Sequence, residues 1–282
     1  MISPPQKYRH TQGIILLVAT TLIWGTTFPV IKDVVSSLSP ASLIAIRFAV
    51  AALVFVPFAG RPNARLVRDG VLLGFVFFTS LTSQTIGMET ISANRAGFII
   101  GLNVILVPLF GPLLGQRVPV RAFFSAGLAL IGIGVMSWEG GALGIGDLWM
   151  FVCALSYAIY ILLLDAVTSR HPPMPLTAIQ LITVALLGGC WAAPEVREQF
   201  EAISGNFNAL LYLGLIGTAA TTWTQAVAQR WVTAHETAVL YALEPVFAAI
   251  FSFLLLGETL GVRGWFGGGL VLTGMIMSQI RT

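Results

Sequence analysis

Charges in this chain are confined to narrow belts, and the long stretches between the belts carry none. Charge-free runs span 13–31, 70–88, 96–116, 122–138, 148–164, 172–194, 202–229 and 264–280. Two further apolar runs, about 40–58 and 237–257, hold one charge each, Arg47 and Glu244. A helix that crosses the hydrocarbon core of a bilayer needs roughly 17–25 mostly apolar residues. Ten runs meet that length. Strands of a membrane barrel would alternate apolar and polar residues instead, and no run here does. Lipid offers the backbone no hydrogen-bond partners, so each run is expected to be a helix. Only 10% of the residues are charged and 56% are hydrophobic, whereas a soluble domain carries about 25% charged residues. The chain lacks the polar surface to cover itself in water, and a lipid bilayer is its expected solvent.

Lysine and arginine in the short segments set the expected orientation. With the N-terminus inside, the inner segments hold Lys7, Arg9, Arg61, Arg65, Arg68, Arg117, Arg121, Arg170, Arg230 and Arg281. The outer ones hold Lys32, Arg95, Arg197 and Arg263. The bias predicts a multi-pass protein of the bacterial inner membrane with both termini cytoplasmic. It also accounts for the net charge of +3 without a nucleic-acid partner. The first run is longer than the apolar core of about 7–15 residues in a signal peptide. Cys153 and Cys190 both fall within expected helices and suggest neither a disulfide framework nor a metal motif.

The sequence also resembles itself. At an offset of 133, Gly13 meets Gly146, Ala45 meets Ala178, Ile46 meets Ile179, Ala52 meets Ala185, and Arg47 meets Gln180. At 141, Gln84 meets Gln225 and Ser92-Ala93 meets Thr233-Ala234. At 142, Gly115-Gln116 meets Gly257-Glu258, Arg121 meets Arg263, and Gly132 meets Gly274. These matches keep chain order, which predicts two repeats, 11–138 and 146–281. Five helices in each repeat carry the chain across the membrane an odd number of times, so the second repeat runs inverted. Inverted repeats are a frequent construction of secondary transporters, with substrate bound near the midplane between the halves.

Leu22-Ile23-Trp24-Gly25-Thr26-Thr27-Phe28, followed by Arg47-Phe48, resembles the opening of an EamA domain. Ala234, Leu240 and Leu243-Glu244-Pro245-Val246-Phe247, ending in Leu255-Leu256-Gly257-Glu258, resemble its close. The chain is identified on these residues as similar to the drug/metabolite transporter superfamily, and within it to aromatic amino-acid exporters of the YddG type. The resemblance implies an all-α integral membrane protein of ten transmembrane helices, two inverted five-helix repeats around a central cavity. It implies export of amino acids and related small metabolites by alternating access, with no cofactor. Asn103-Val104 departs from the pattern, in which a small or acidic residue precedes proline, and Gln116 replaces the glutamate of the second repeat.

Ionisable groups inside a membrane cost about 2.5–3.5 kcal/mol on insertion scales and raise a functional hypothesis. Arg47 lies roughly 10 Å into the second span at 1.5 Å per residue. There it either pairs with a substrate carboxylate, or snorkels outward or pins neighbouring helix ends. Glu244, roughly 12 Å into the ninth span, either meets a substrate ammonium or proton, or caps a turn loosened by Pro245. Gln84 and Gln225 occupy matching sites and are expected to face inward, since an amide facing lipid is costly. Asn103 and Gln180 join them as candidate cavity residues. Trp24, Tyr157, Trp223 and Tyr241 offer apolar or cation–π walls, though aromatics also fill cores and membrane interfaces. Gly97, Gly101, Pro108 and Pro245 mark the fourth and ninth spans as gate elements. Gly97/Gly101 and Gly111/Gly115 are equally GxxxG packing pairs. The glycine-rich faces of the fifth and tenth spans serve as scaffold or as contacts of a weak homodimer; otherwise the chain is a monomer.

An intramembrane enzyme would need convergent catalytic groups. The histidines, at 10, 171 and 235, fall in terminal or loop segments, and no aspartate falls inside an expected helix. No phosphate-binding GxxxxGK[ST] loop occurs. Alternatives to amino-acid export are a carrier for another metabolite, drug or nucleotide sugar, and a passive facilitator or channel.

Overall fold

The computed structural model describes residues 6–60, 62–115, 117–137, 143–244, 246–247, 250–251 and 261–279. Among them, every regular element is helical. Six helical stretches are long and apolar enough to cross a membrane: Tyr8–Val34, Pro40–Phe58, Ala64–Thr90, Arg95–Leu113, Ile145–Thr168 and Pro173–Ala192. Large apolar side chains stand on the outer surface, among them Leu53, Phe124, Leu186 and Trp265. In water such a surface would drive association; against lipid tails it is the expected one.

The helices overshoot the charge-free runs. Helix α1 (Gln6–Val34) takes in His10 and Asp33. Helix α2 (Pro40–Phe55) starts behind Ser39, whose side chain accepts from the Ser42 N–H. Helix α3 (Ala64–Thr90) starts behind Asn63, which caps Leu66 in the same way, and includes Asp69. Helix α7 (Ile145–Thr168) includes both Asp147 and Asp165, and α8 is Pro173–Ala192. The expectation that no aspartate lies within a helix, and that the histidines lie outside helices, is therefore corrected for these residues. A polar side chain at a helix end is tolerated when a neighbouring helix satisfies it. His171, in the turn before α8, holds Asp69 at 2.8 Å, and Arg95 holds Asp147.

Among the described residues, three of the expected single spans are broken. Run 96–116 forms α4 (Ala93–Ile100) and α5 (Asn103–Phe110). Through the junction the hydrogen bonds shorten to three residues, from Leu102 N–H to Ile99 and from Val104 N–H to Gly101, both at 3.1 Å. Run 202–229 is divided into α9 (Phe200–Gly205), α10 (Phe207–Gly214), a π-helical segment (Leu215–Ala220) and α11 (Thr221–Ala228). Helix α12 (Ala234–Tyr241) carries His235 and ends in a turn where Ala242 and Leu243 bond back three residues. Helices α6 (Val120–Ser137) and α13 (Val262–Gln279) complete the order.

The two halves of the chain interlock through their first helices. Helix α1 takes partners from the second half: Thr20 bonds Thr224 at 2.8 Å, Thr26 bonds Tyr212, and His10 bonds Glu236 at 3.3 Å. Helix α7 takes partners from the first: Ser80 donates to the Cys153 carbonyl at 3.3 Å, and Arg95 pairs with Asp147. Lys32 adds a rivet at one end of α1, its ammonium donating to the carbonyls of Met88 at 2.6 Å and Ile91 at 3.0 Å.

The glycine faces of the fifth and tenth expected spans meet each other within the chain. A Cβ on Gly132 would stand 2.6 Å from the Gly267 carbonyl, and one on Gly274 would stand 2.7 Å from that of Ser125. Small residues there let the backbones of α6 and α13 touch, which is a scaffold use. Gly127 and Gly269 face open space.

Candidate functional site

A cavity lies among α1, α2, α3, α7 and the turn after α12. Its wall from α1 is Trp24, Thr27, Phe28 and Ile31, and its wall from α3 is Phe77, Ser80, Leu81 and Gln84. Both sets follow the spacing i, i+3, i+4, i+7, which is one face of a helix. Arg47, Ile100, Tyr157, Gly217, Thr221 and Glu244 close the lining.

Arg47 owes its pose to the π-helical segment. A widened turn leaves carbonyls without their usual α-helical partner, and such turns recur at functional sites. The Gly217 carbonyl accepts from Arg47 Nη2 at 3.3 Å and from the Thr221 hydroxyl at 2.9 Å. Arg47 Nε donates to Thr218 Oγ1 at 2.5 Å. Helix α2 comes this close because position 214 is glycine: a Cβ there would stand 3.0 Å from the Arg47 carbonyl. Nη1 is buried and has no hydrogen-bond partner. The guanidinium is thus held on one edge and open on another, at the cavity wall.

Glu244 reaches the cavity from the residue after the tight turn at 242–243. It forms no ion pair with Arg47 among the described residues. An arginine and a glutamate therefore line the same space without contacting each other.

Aromatic rings line up behind the wall. Tyr241 packs on Trp24 at 4.9 Å, and Trp24 meets Tyr157 edge-on at 5.9 Å. Tyr157 stacks on Tyr160 at 5.7 Å, and Tyr160 on Phe77 at 4.7 Å. The two tyrosine hydroxyls point away into amides. Tyr157 donates to Gln225 Oε1 at 3.3 Å, and Tyr160 donates to Gln180 Oε1 at 3.0 Å. Gln225 Nε2 in turn donates to Gln229, and Gln229 to the Ile161 carbonyl.

Of the residues singled out in the sequence, Trp24, Arg47, Gln84, Tyr157 and Glu244 stand together at the cavity. Gln180 and Gln225 are not part of the lining, and their amide oxygens accept from Tyr160 and Tyr157. Tyr241 is buried beneath Trp24, and half-buried Trp223 packs against the core away from the lining. Asn103 is buried at the start of α5, off the cavity wall. Gly101 sits in the break between α4 and α5, Gly97 faces open space, and Pro108 lies inside α5. Pro245 lies outside the described residues. Thr27, Phe28, Ile31, Phe77, Ser80 and Leu81 line the cavity without having been singled out. The helical period counted from Trp24 and Gln84 would have found them.

The model of the EamA-like transporter family matches residues 11–138 and 144–279. A protein of Archaeoglobus fulgidus named an uncharacterized transporter is 31% identical over 266 residues, covering 94% of this chain and 85% of its own. A probable terminal-alkyne amino-acid exporter of Streptantibioticus cattleyicolor is 26% identical over 292 residues, covering 96% of this chain and 95% of its own. A solved crystal structure at 16% identity shares the fold with a TM-score of 0.78, over 95% of this chain and 96% of that one. Two family matches that together span most of an apolar, all-helical chain place it: the protein belongs to the EamA-like transporter family of the drug/metabolite transporter superfamily and is a multi-pass membrane transporter.

Proposed function

We propose that this transporter exports amino acids with apolar or aromatic side chains, and related small metabolites, by alternating access. In this reading ten spans form two inverted five-helix repeats, 11–138 and 146–281, in the bacterial inner membrane with both termini cytoplasmic. The observation that carries it is the pair of opposite charges, Arg47 and Glu244, lining one cavity without contacting each other. Burying two ions apart is expensive unless something satisfies both. A zwitterion does so, its carboxylate on the open edge of Arg47 and its ammonium on Glu244. The rest of the lining is mostly apolar, with Trp24, Phe28, Ile31, Phe77 and Leu81 available to a side chain.

The similarity to a probable terminal-alkyne amino-acid exporter supports both the substrate class and the direction. Arg47 is the one cation among the described lining residues, which argues against a phosphate-bearing substrate, for which several cations are expected.

Counterflow of radiolabelled amino acids into liposomes holding the purified protein tests the reading, with Arg47→Gln and Glu244→Gln beside the parent. Saturable exchange that either variant loses supports it. Absence of exchange across aromatic, aliphatic, cationic and anionic amino acids, with folded protein in the vesicles, removes it.

A further inference from the structure

The segments α4 and α12 are built alike to a degree that their sequences conceal. Each is eight residues long. Each begins behind a hydroxyl cap, Ser92 accepting from Arg95 N–H and Thr233 from Glu236 N–H. Each ends in a turn tightened to three-residue hydrogen bonds, at Gly101-Leu102 and Ala242-Leu243. Caps and turns are both 141 positions apart.

The third residue of each segment is charged, Arg95 in α4 and Glu236 in α12. Arg95 grips Asp147 through two bonds, Nε to Oδ1 at 2.5 Å and Nη2 to Oδ2 at 2.9 Å. Glu236 Oε1 meets His10 Nε2 at 3.3 Å. Asp147 lies in the first turn of α7, and His10 in the first turns of α1. Each pair therefore fastens one half's capped segment to the first helix of the other half. The carboxylates are nearly inaccessible, with side-chain exposures of 2% for Asp147 and 9% for Glu236.

The pairs sit at opposite ends of the molecule. Lys32 reaches the Ile91 carbonyl beside the Ser92 cap, so Arg95 lies at the far end of α1 from His10. The 22 residues between His10 and Lys32 correspond to about 33 Å of helix, the thickness of a bilayer core. Between the ends lies the cavity, which Ile100 touches from the last residue of α4. Tyr241, the last residue of α12, backs it through Trp24.

From these relationships we infer that Arg95–Asp147 and His10–Glu236 are the two latches of the transport cycle, each holding one end of the cavity shut. A capped segment with a tight turn at its base is a lever, and the side-chain pair at its tip is the contact that a swing must break. Both latches are closed in this structure. Release of the Arg95 pair lets α4 swing and opens that face. Release of the His10 pair lets α12 swing and opens the other. The inference does not depend on the identity of the substrate.

Sided labelling decides it. Ser80→Cys, in a Cys153→Ser, Cys190→Ser background, places one thiol in the cavity, to be titrated with membrane-impermeant maleimide from either face. Asp147→Asn and Glu236→Gln each keep an oxygen for their capping bonds and lose the carboxylate charge, which weakens the latch and spares the cap. Asp147→Asn should raise labelling from the Arg95 face by about tenfold, and Glu236→Gln should do so from the His10 face, a coupling of ordinary size. Arg95→Gln and His10→Ala should reproduce the two shifts from the opposite partner. Exchanging the charges, Arg95→Asp with Asp147→Arg, should return labelling to the parent rate. Latch variants that melt like the parent yet label at the parent rate from both faces would overturn the inference. So would two variants that open the same face.

Discussion

The Nε of Arg47 donates to the Oγ1 of Thr218 across 171 positions of sequence, and the two residues meet at 2.5 Å within a π-helical turn. That bond, with the one to the Gly217 carbonyl, leaves Nη1 as the edge of the guanidinium free of partners. Thr218 positions the arginine without lining the cavity itself.

Replacing Thr218 with valine should leave Nε buried and unpaired, a loss of about 1.5–3 kcal/mol for a bond to a charged group. Thr218→Val is expected to raise KM for a carboxylate substrate about tenfold or more, while Thr218→Ser retains most of the affinity. Counterflow at graded substrate concentrations separates these outcomes. Equal loss in both variants would make the contact a matter of packing.

Lysine should not rescue position 47. An ammonium is a compact point charge, whereas the guanidinium offers donors in a planar fork. Here the fork serves two anchors and leaves Nη1 without a partner. Arg47→Lys is expected to keep the fold but less than about a tenth of the exchange rate. Full exchange with lysine would show that charge alone suffices.

Tyr160→Phe should lower the melting temperature in detergent, because it strands the buried Gln180 carbonyl oxygen, at a cost of about 1–3 kcal/mol. The double variant Tyr160→Phe, Gln180→Leu removes both partners and should recover most of the loss. Additive losses would contradict a structural pairing.

Gly132→Leu and Gly127→Leu form a matched comparison on one helix. The first drives a side chain against the Gly267 carbonyl, and the second points into open space. Overpacking of the first kind costs about 1–3 kcal/mol or more. The melting temperature should drop for Gly132→Leu and stay near the parent for Gly127→Leu.

Much of this architecture is legible in the residues, and the limits have physical causes. Apolar length announces a membrane helix because the bilayer core has a fixed thickness, so the runs at 13–31, 40–58, 70–88, 148–164 and 172–194 each correspond to a continuous helix. The break at Gly101-Leu102 is foreshadowed by Gly101 and Pro108. The π-helical turn at 215–220 has no proline to mark it, and the arginine it holds lies 171 positions away. Glutamine illustrates a second limit. Gln84 lines the cavity while its repeat partner Gln225 holds a tyrosine. A buried amide must be satisfied, and its sequence position does not say by what. The helix ends are a third case. Asp69 and Asp147 lie inside helices because His171 and Arg95 arrive from far along the chain to meet them.

The dependence of α1 on the second half bears on how the protein is made. His10 and Glu236 are 226 positions apart, and the partners of Thr20 and Thr26 also emerge late. Helix α1 is therefore synthesised well before the surface it rests on. The contacts of His10 and Thr20 must wait until α11 and α12 have been synthesised. A chain stopped after residue 138 would contain one whole match to the family model and still lack the surface on which α1 rests. The stretch that recurs in the sequence is half of a folding unit.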